Sequence, residues 1–269
     1  MNRTNLRNAK RIIIKLGTNT ILSNEGINFA KMDRLAYVCA SLIQEGKEIV
    51  IVSSGAIGVG SKELNEEHYP TTIADQQVAS AVGQTILMGH YARFFKYYGV
   101  NVGQILLTRD VIDYPQSLQN VQVAMDTLLR RKIVPIINEN DAVAVEELNH
   151  QTKFGDNDTL SAIVAKMTAA DLLVILSDVD GLYDSNPQQN PKARLIDQVN
   201  EMTEEIHQMA LGKGSEFSTG GMATKLNAAE VILTTNSSLV ITSGADPSII
   251  FDILKGETIG TFFHRKGDR

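Results

Sequence analysis

Ile12-Ile13-Ile14-Lys15-Leu16-Gly17-Thr18 is the stretch on which the fold turns. Three isoleucines in succession, with leucine one place beyond Lys15, show no polar alternation, so the strand they predict is covered on both faces, as in a mostly parallel sheet. Runs of the same kind recur at Glu48–Ser53, Asn101–Leu107, Ile133–Ile137, Leu172–Leu176, Ser238–Ile241 and Thr258–Phe262. Helical patterns with usable caps lie between them. Asn28 opens one that closes at Gly46, Thr72 opens a long one that ends at Gly99, and Asp246-Pro247 opens a short one with Pro at its first position. The expectation is an α/β protein, a three-layer α/β/α sandwich with a central mostly parallel sheet. No low-complexity or Pro/Gly/Ser-rich linker interrupts the pattern, so residues 1–269 are expected to form a single domain. Val145–Phe154 reads as a hairpin or lid with Asn149-His150 at its tip, and Asn186–Pro191 as a turn.

Composition narrows the function. With 25 Lys+Arg against 31 Asp+Glu the formal net charge is −6, which argues against general affinity for a nucleic-acid backbone but allows a local basic pocket. Cys39 is the one cysteine, so no internal disulfide forms, and its place in the apolar pattern of Leu35, Val38, Leu42 and Ile43 reads as a buried structural thiol. The polar, basic start from Met1 to Arg11 lacks the apolar stretch of a signal peptide, and no apolar run approaches the ~20 residues that span a bilayer. The expected setting is the cytoplasm, with no membrane partner.

In open α/β sheets, ligands bind beyond the carboxyl ends of the strands. The strands here end in Lys15-Leu16-Gly17-Thr18, Ser53-Ser54-Gly55-Ala56, Thr108-Arg109-Asp110, Asn138-Glu139-Asn140-Asp141 and Ser177-Asp178-Val179-Asp180-Gly181. Loops are polar everywhere, but some of these residues are poorly placed for a mere loop. Lys15 continues a buried strand, where an unpaired ammonium is costly, and an anion at the strand end would resolve it. The alternative is a lysine that snorkels to solvent. Lys225 comes after Ser218-Thr219-Gly220-Gly221-Met222-Ala223-Thr224 at the start of a helix whose apolar face holds Met222, Leu226, Ala229 and Leu233. A cation there opposes the helix dipole, whereas the glycines, hydroxyls and exposed amides form an anion cradle to which it adds charge. A flexible Gly-Gly loop with an incidental lysine is the bland reading. At Gly155-Asp156-Asn157-Asp158, one of Asp156 and Asn157 is expected to cap the next helix, and the remaining groups exceed capping needs.

Other signatures are missing. There is no G-x-x-x-x-G-K-[ST], and Gly55-Ala-Ile-Gly58-Val-Gly60 reverses the spacing of G-x-G-x-x-G, which weakens a dinucleotide reading. The five histidines are scattered without ligand spacing, so no metal cage is expected.

Taken together, the motifs resemble the amino acid kinase family. Ile14–Thr18, Val52–Ile57, Gln104–Arg109, Pro135–Asp141, Gly155–Asp158 and Thr219–Lys225 stand in the family's order across nearly the whole chain. Asn138-Glu139-Asn140-Asp141 with Gly155-Asp156-Asn157-Asp158 favours the glutamate-specific branch over the acetylglutamate, aspartate, carbamate and UMP branches. The resemblance implies phosphorylation of the side-chain carboxylate of L-glutamate by ATP, the first step of proline biosynthesis. It implies that Lys15 holds the ATP phosphates, Lys225 stabilises the transferring phosphoryl group, and Asp158 orients both lysines. Ser54, Asp141 and Asn157 would bind glutamate, with Gly55, Asn138 and Asp156 lining that pocket. Ser177, Asp178 and the run Thr219, Gly220, Gly221, Met222, Ala223, Thr224 and Lys225 would meet the nucleotide. The same resemblance implies Mg²⁺ carried on ATP, feedback inhibition by proline, and a dimer or tetramer in which the helix Ile73–Tyr98 supplies the interface. It also allows the labile product to be channelled to the next pathway enzyme. Family members often carry a C-terminal domain of the PUA type; the chain ends at Arg269, so a form without it is expected. Ser218 stands where the family pattern has glycine.

The chemistry agrees with the residues. A carboxylate of pKa ~4.3 is already ionised at neutral pH and needs no general base. It needs relief from phosphate repulsion, and phosphoryl transfer rests mostly on positioning and electrostatic stabilisation. The nearest rival is a kinase of the same fold acting on another acyl or phosphate acceptor, such as N-acetylglutamate. A catalytically silent amino-acid sensor would not require the second lysine, and an oxidoreductase lacks its fingerprint.

Overall fold

The structure, a computed structural model, describes residues 2–23, 26–144, 146–147, 150–151, 156–187, 189–211 and 220–265. They fall into two compact units, one of Met1–Lys15 with Asp158–Arg269 and one of Leu16–Asn157. After a 3₁₀ turn at Arg3–Asn8, strand β1 (Arg11–Leu16) belongs to the first unit almost entirely. The second unit then runs α1 (Thr18–Ile21), β2 (Leu22–Ser23), β3 (Gly26–Ile27), α2 (Phe29–Gln44), β4 (Glu48–Val52), α3 (Ala56–Glu63) and α4 (Ile73–Tyr97). It continues through β5 (Val102–Leu107), α5 (Arg109–Asp113), α6 (Pro115–Arg130), β6 (Val134–Glu139) and the ribbon β7 (Glu146–Glu147) with β8 (His150–Gln151). Helix α7 (Asn157–Met167) starts at the boundary. The first unit is completed by β9 (Leu172–Ser177), β10 (Gln198–Val199), α8 (Glu204–Leu211), α9 (Gly220–Leu233), β11 (Ser238–Ser243), α10 (Ile249–Lys255) and β12 (Thr261–Phe263).

In the second unit the strands lie in the order β4-β6-β5, all parallel. Ile49 to Val52 and Val134 to Glu139 are buried without alternation, as strands covered on both faces must be. The β5–β6 register sets Leu106 opposite Asn138 and Leu107 opposite Glu139, so the chain turns polar as β6 ends. The caps read from sequence are in place: Asn28 accepts from the amide of Lys31, and Thr72 from that of Asp75. Cys39 is wholly buried on α2, and burial pushes its thiol far above the usual range.

In the first unit the order is β10-β12-β11-β9-β1. β9 and β11 pair in parallel from Leu172–Ser177 to Ser238–Ser243, and β12 runs antiparallel to β11. The α/β class, with a mostly parallel sheet and helices on both sides, is borne out. Most strand ends lie within one or two residues of expectation, and three larger differences stand out. The last strand was expected at Thr258–Phe262 but begins at Thr261, because Gly260 takes φ +59°, which ends extended backbone. The helix expected at Asp246-Pro247 begins at Ile249: Asp246 first closes a turn by accepting from the amide of Ser248. β10, only two residues long, carried no sequence signal. The expected hairpin at Val145–Phe154 is present as β7 and β8; Val145, the tip residue Asn149 and Thr152–Phe154 lie outside the described residues. No helix among the described residues is long and apolar enough to cross a membrane.

Candidate active site

Lys15, one residue before the end of β1, is buried, 7% exposed, and its Nζ lies 2.5 Å from Asp158 Oδ1. It does not snorkel. Asp158, in the first turn of α7, is itself 3% exposed, and its Oδ2 lies 3.3 Å from Lys225 Nζ. Thr224 donates to the same oxygen at 2.8 Å. Lys225, 6% exposed, donates back to the Gly221 carbonyl at 2.8 Å, one turn earlier in α9. Burial alone would raise the Asp158 carboxyl, but the charges of Lys15 and then Lys225, with hydrogen bonds from Lys15 and Thr224, outweigh it and hold the group below its ordinary value. One carboxylate against two ammonium groups leaves a net positive charge in a buried place. Such a cluster is costly until an anion joins it.

The glycine loop expected before this helix is corrected at its end: Gly220 and Gly221 lie inside α9, whose first-turn amides have no partner within the helix. Thr219 and Ser218 lie outside the described residues. Met222, Ala223 and Thr224 come next in the same turn. Ser177 ends β9 beside β11 and donates to the exposed Asp178 at 2.9 Å, both in the first unit with the lysines.

A second cluster belongs to the second unit. Ser54, Gly55, Asn138, Asp141, Asp156 and Asn157, all six residues expected at the acceptor, line one cavity of about 310 Å³. Gly55 ends the turn after β4 with φ +93°, a conformation L side chains rarely adopt, and from there α3 begins. Ala56 to Gly58, its first turn, also line the cavity. Asn157 is not a helix cap, as one reading allowed. It is the first residue of α7, and its Nδ2 donates to Ser53 O at 2.7 Å, Ser54 Oγ at 2.8 Å and Asn138 Oδ1 at 2.9 Å. Three acceptors share its two hydrogens, so the amide nitrogen is fully committed and only its carbonyl oxygen is left for a ligand. Ser54, which accepts from Asn157, keeps its own hydroxyl hydrogen to donate.

Thr18 and Glu139, quoted among the strand ends but given no role, also stand on the cavity wall, and sequence reading missed Tyr69 there and a polar row on α4. Ser80 donates to Asp141 at 3.4 Å, Gln84 accepts from Asn138 at 2.9 Å, and Tyr91 shares a 2.9 Å bond with Ser53. All three are buried, and each is bonded to a residue remote from it in sequence, which no local pattern announces. Arg109 and Asp110 do not line the cavity; they form the start of α5.

An anion-seeking lysine cluster and a polar, small-molecule-sized cavity on a mostly parallel sheet define a small-molecule phosphotransferase. The chain belongs to the amino acid kinase family, which it matches over residues 10–243. It is 53% identical to the glutamate 5-kinase of Listeria monocytogenes serovar 1/2a, over 98% of this chain and 96% of that one. It is 51% identical to the glutamate 5-kinase of Enterococcus faecalis, over 98% of each. Among solved structures, a carbamate kinase from Giardia lamblia bound to AMP-PNP superposes with a TM-score of 0.67 at 19% identity, covering 97% of this chain and all of that one, a likeness that shows the fold.

Proposed function

We propose that the protein transfers the γ-phosphoryl group of ATP to the side-chain carboxylate of L-glutamate, giving γ-glutamyl phosphate as the opening step of proline biosynthesis. The observation that carries this reading is the two-signed lining of the cavity. The first turn of α3, whose amides have no partner within the helix, and the Ser54 hydroxyl can offer donors, while Asp141, Asp156 and the Asn157 carbonyl can offer acceptors. A free amino acid brings one group for each set. N-acetylglutamate lacks the ammonium and would leave the acidic side of the cavity unmatched, which disfavours the closest rival.

The side-chain carboxylate attacks phosphorus as an anion, so the barrier is dominated by like-charge repulsion. Lys15 and Lys225 supply positive charge to the phosphates, Lys225 to the group in transit. Asp158 holds both ammonium groups in place without cancelling them. Mg²⁺ would supply further neutralisation of the triphosphate. Among the described residues no cluster of His, Cys, Asp or Glu makes a cage for it, and Asp158 is shared between two lysines. These donors fit an ion that arrives on ATP. The whole chain is proposed to act as a single kinase domain, in the cytoplasm.

Proline has the same α-carboxylate and an ammonium but no side-chain carboxylate, so the same cavity accepts it unproductively. Inhibition is then competitive with glutamate, and Asp141→Asn weakens both ligands together while ATP binding stays near normal. Calorimetric titration checks this; full-strength proline binding in a mutant that has lost glutamate rules out a shared cavity. Ile73, Val78 and Tyr97 on α4 are exposed apolar residues suited to a homo-oligomer contact, and the labile product suits direct hand-over to the next enzyme. The deciding assay is ATP- and glutamate-dependent acyl phosphate trapped with hydroxylamine. Product with glutamate and little with N-acetylglutamate is expected; the reverse preference overturns the reading.

A further inference from the structure

Gln84 lies at the back of the acceptor cavity rather than on its wall. It is 7% exposed on α4, and the only hydrogen bond of its side chain among the described residues is the one its Oε1 accepts from Asn138 Nδ2 at 2.9 Å. Its Nε2 is buried and has no partner among those residues.

The orientation of the amide chain is forced by groups that cannot rotate. The Ser53 carbonyl can only accept, so the end of Asn157 beside it is the nitrogen. The Glu139 backbone N–H can only donate, so Asn138 Oδ1 must face it, at 2.9 Å. That leaves Asn138 Nδ2, in a side chain 1% exposed, requiring an acceptor on its far side. Gln84 Oε1 is that acceptor. Turning the Gln84 amide would set two N–H groups against each other, and the unpartnered Nε2 is the consequence of the required orientation.

We propose that Gln84 is a positioning residue for the acceptor. By taking the Asn138 donor it anchors the Asn138 side chain in place, with Oδ1 against the Asn157 nitrogen, and so steadies Asn157 with its carbonyl oxygen available to an ammonium group. Gln84 touches neither substrate and acts through Asn138. This rests on the reading of the cavity as the amino-acid site.

The role predicts which replacement is tolerated. Gln84→Met keeps length and burial but offers Asn138 nothing; the buried Nδ2 is left unpaired, and the Asn138 side chain is no longer held against Asn157 from behind. Gln84→Glu keeps an accepting oxygen and loses an N–H group that makes no bond; it also buries a carboxyl group, which lowers stability without removing the acceptor. Steady-state kinetics on the full chain, with melting curves alongside, give the test. Gln84→Met is expected to raise KM for glutamate by about tenfold, the worth of one buried hydrogen bond, with KM for ATP unchanged. Gln84→Glu is expected to recover most of that loss even where its melting temperature is no higher than that of Gln84→Met. An unchanged glutamate KM in Gln84→Met, or KM values for glutamate and ATP that rise together with no recovery in Gln84→Glu, overturns the assignment. Failure of the wild-type chain to turn over glutamate overturns the cavity reading, and the role of Gln84 falls with it.

Discussion

Asp158 carries a pH dependence whose sign is fixed by its neighbours. Its carboxyl is held below the ordinary value because two ammonium groups outweigh the opposing effect of burial. A carboxyl lowered in the folded state stabilises the fold at every pH above its unfolded value of ~3.9, and that contribution disappears as pH falls through the folded value. Chemical denaturation should therefore show wild type losing stability below about pH 4. Asp158→Asn should be less stable by about 3–5 kcal/mol at neutral pH, since it strands buried charge. The difference between the two should narrow in acid; a constant difference from pH 7 to 3 would exclude the ion pairs as its cause. Lys225 makes a kinetic statement instead. Lys225→Met should lower turnover by about 10²–10³, the usual loss for one transition-state charge contact, while substrate KM values move little. A variant with near-normal turnover removes Lys225 from the chemistry. Both lysines were legible in the sequence because a cation is out of place at the end of a buried strand and in the first turns of a helix. Asn157 was legible only in part. Its excess over capping needs could be seen, but not that its nitrogen would be absorbed by Ser53, Ser54 and Asn138, which lie far from it in sequence.

Helices α3 and α4 meet backbone to backbone. A Cβ on Gly83 would fall 1.9 Å from the Ala56 carbonyl oxygen, and one on Gly60 would fall 1.8 Å from that of Ala79. This contact, not a dinucleotide, accounts for the glycine at position 60 in a run whose spacing suggested a broken nucleotide fingerprint. Gly83→Ala must push the helices apart and should cost at least about 1–3 kcal/mol in denaturant unfolding. Since Ala56 lines the acceptor cavity, the same variant should raise KM for glutamate more than KM for ATP. Equal effects would mean that the helix contact serves stability alone. The strands were legible because unbroken apolar runs have few other readings, and the caps because Asn28 and Thr72 lie where a helix needs an acceptor. The polar row of α4 was not legible. Ser80, Gln84 and Tyr91 look like ordinary helix residues until Asp141, Asn138 and Ser53 are brought against them.

At the scale of the molecule, the sequence conveyed the α/β class and the order of the chemistry-bearing turns, but not the division into two units. That division falls at Lys15/Leu16 and Asn157/Asp158, within β1 and at the start of α7, where no break in composition marks it. The residues proposed for the phosphates belong to one unit and those proposed for the amino acid to the other. Cys39 makes occupancy of the second unit measurable. Its thiol is wholly buried in α2, within the second unit, and raised by burial, so it is inert while that unit is closed. The chain thus contains a single chemical stopwatch for opening. A thiol reagent such as a disulfide dye should react only through opened molecules, at a rate proportional to how often they occur. Glutamate alone, without nucleotide, should slow the reaction, by about a hundredfold at a concentration 100 times its dissociation constant. Labelling indifferent to glutamate would place the amino acid elsewhere. No engineered probe is needed, because the chain's one cysteine already sits in the unit whose occupancy is in question.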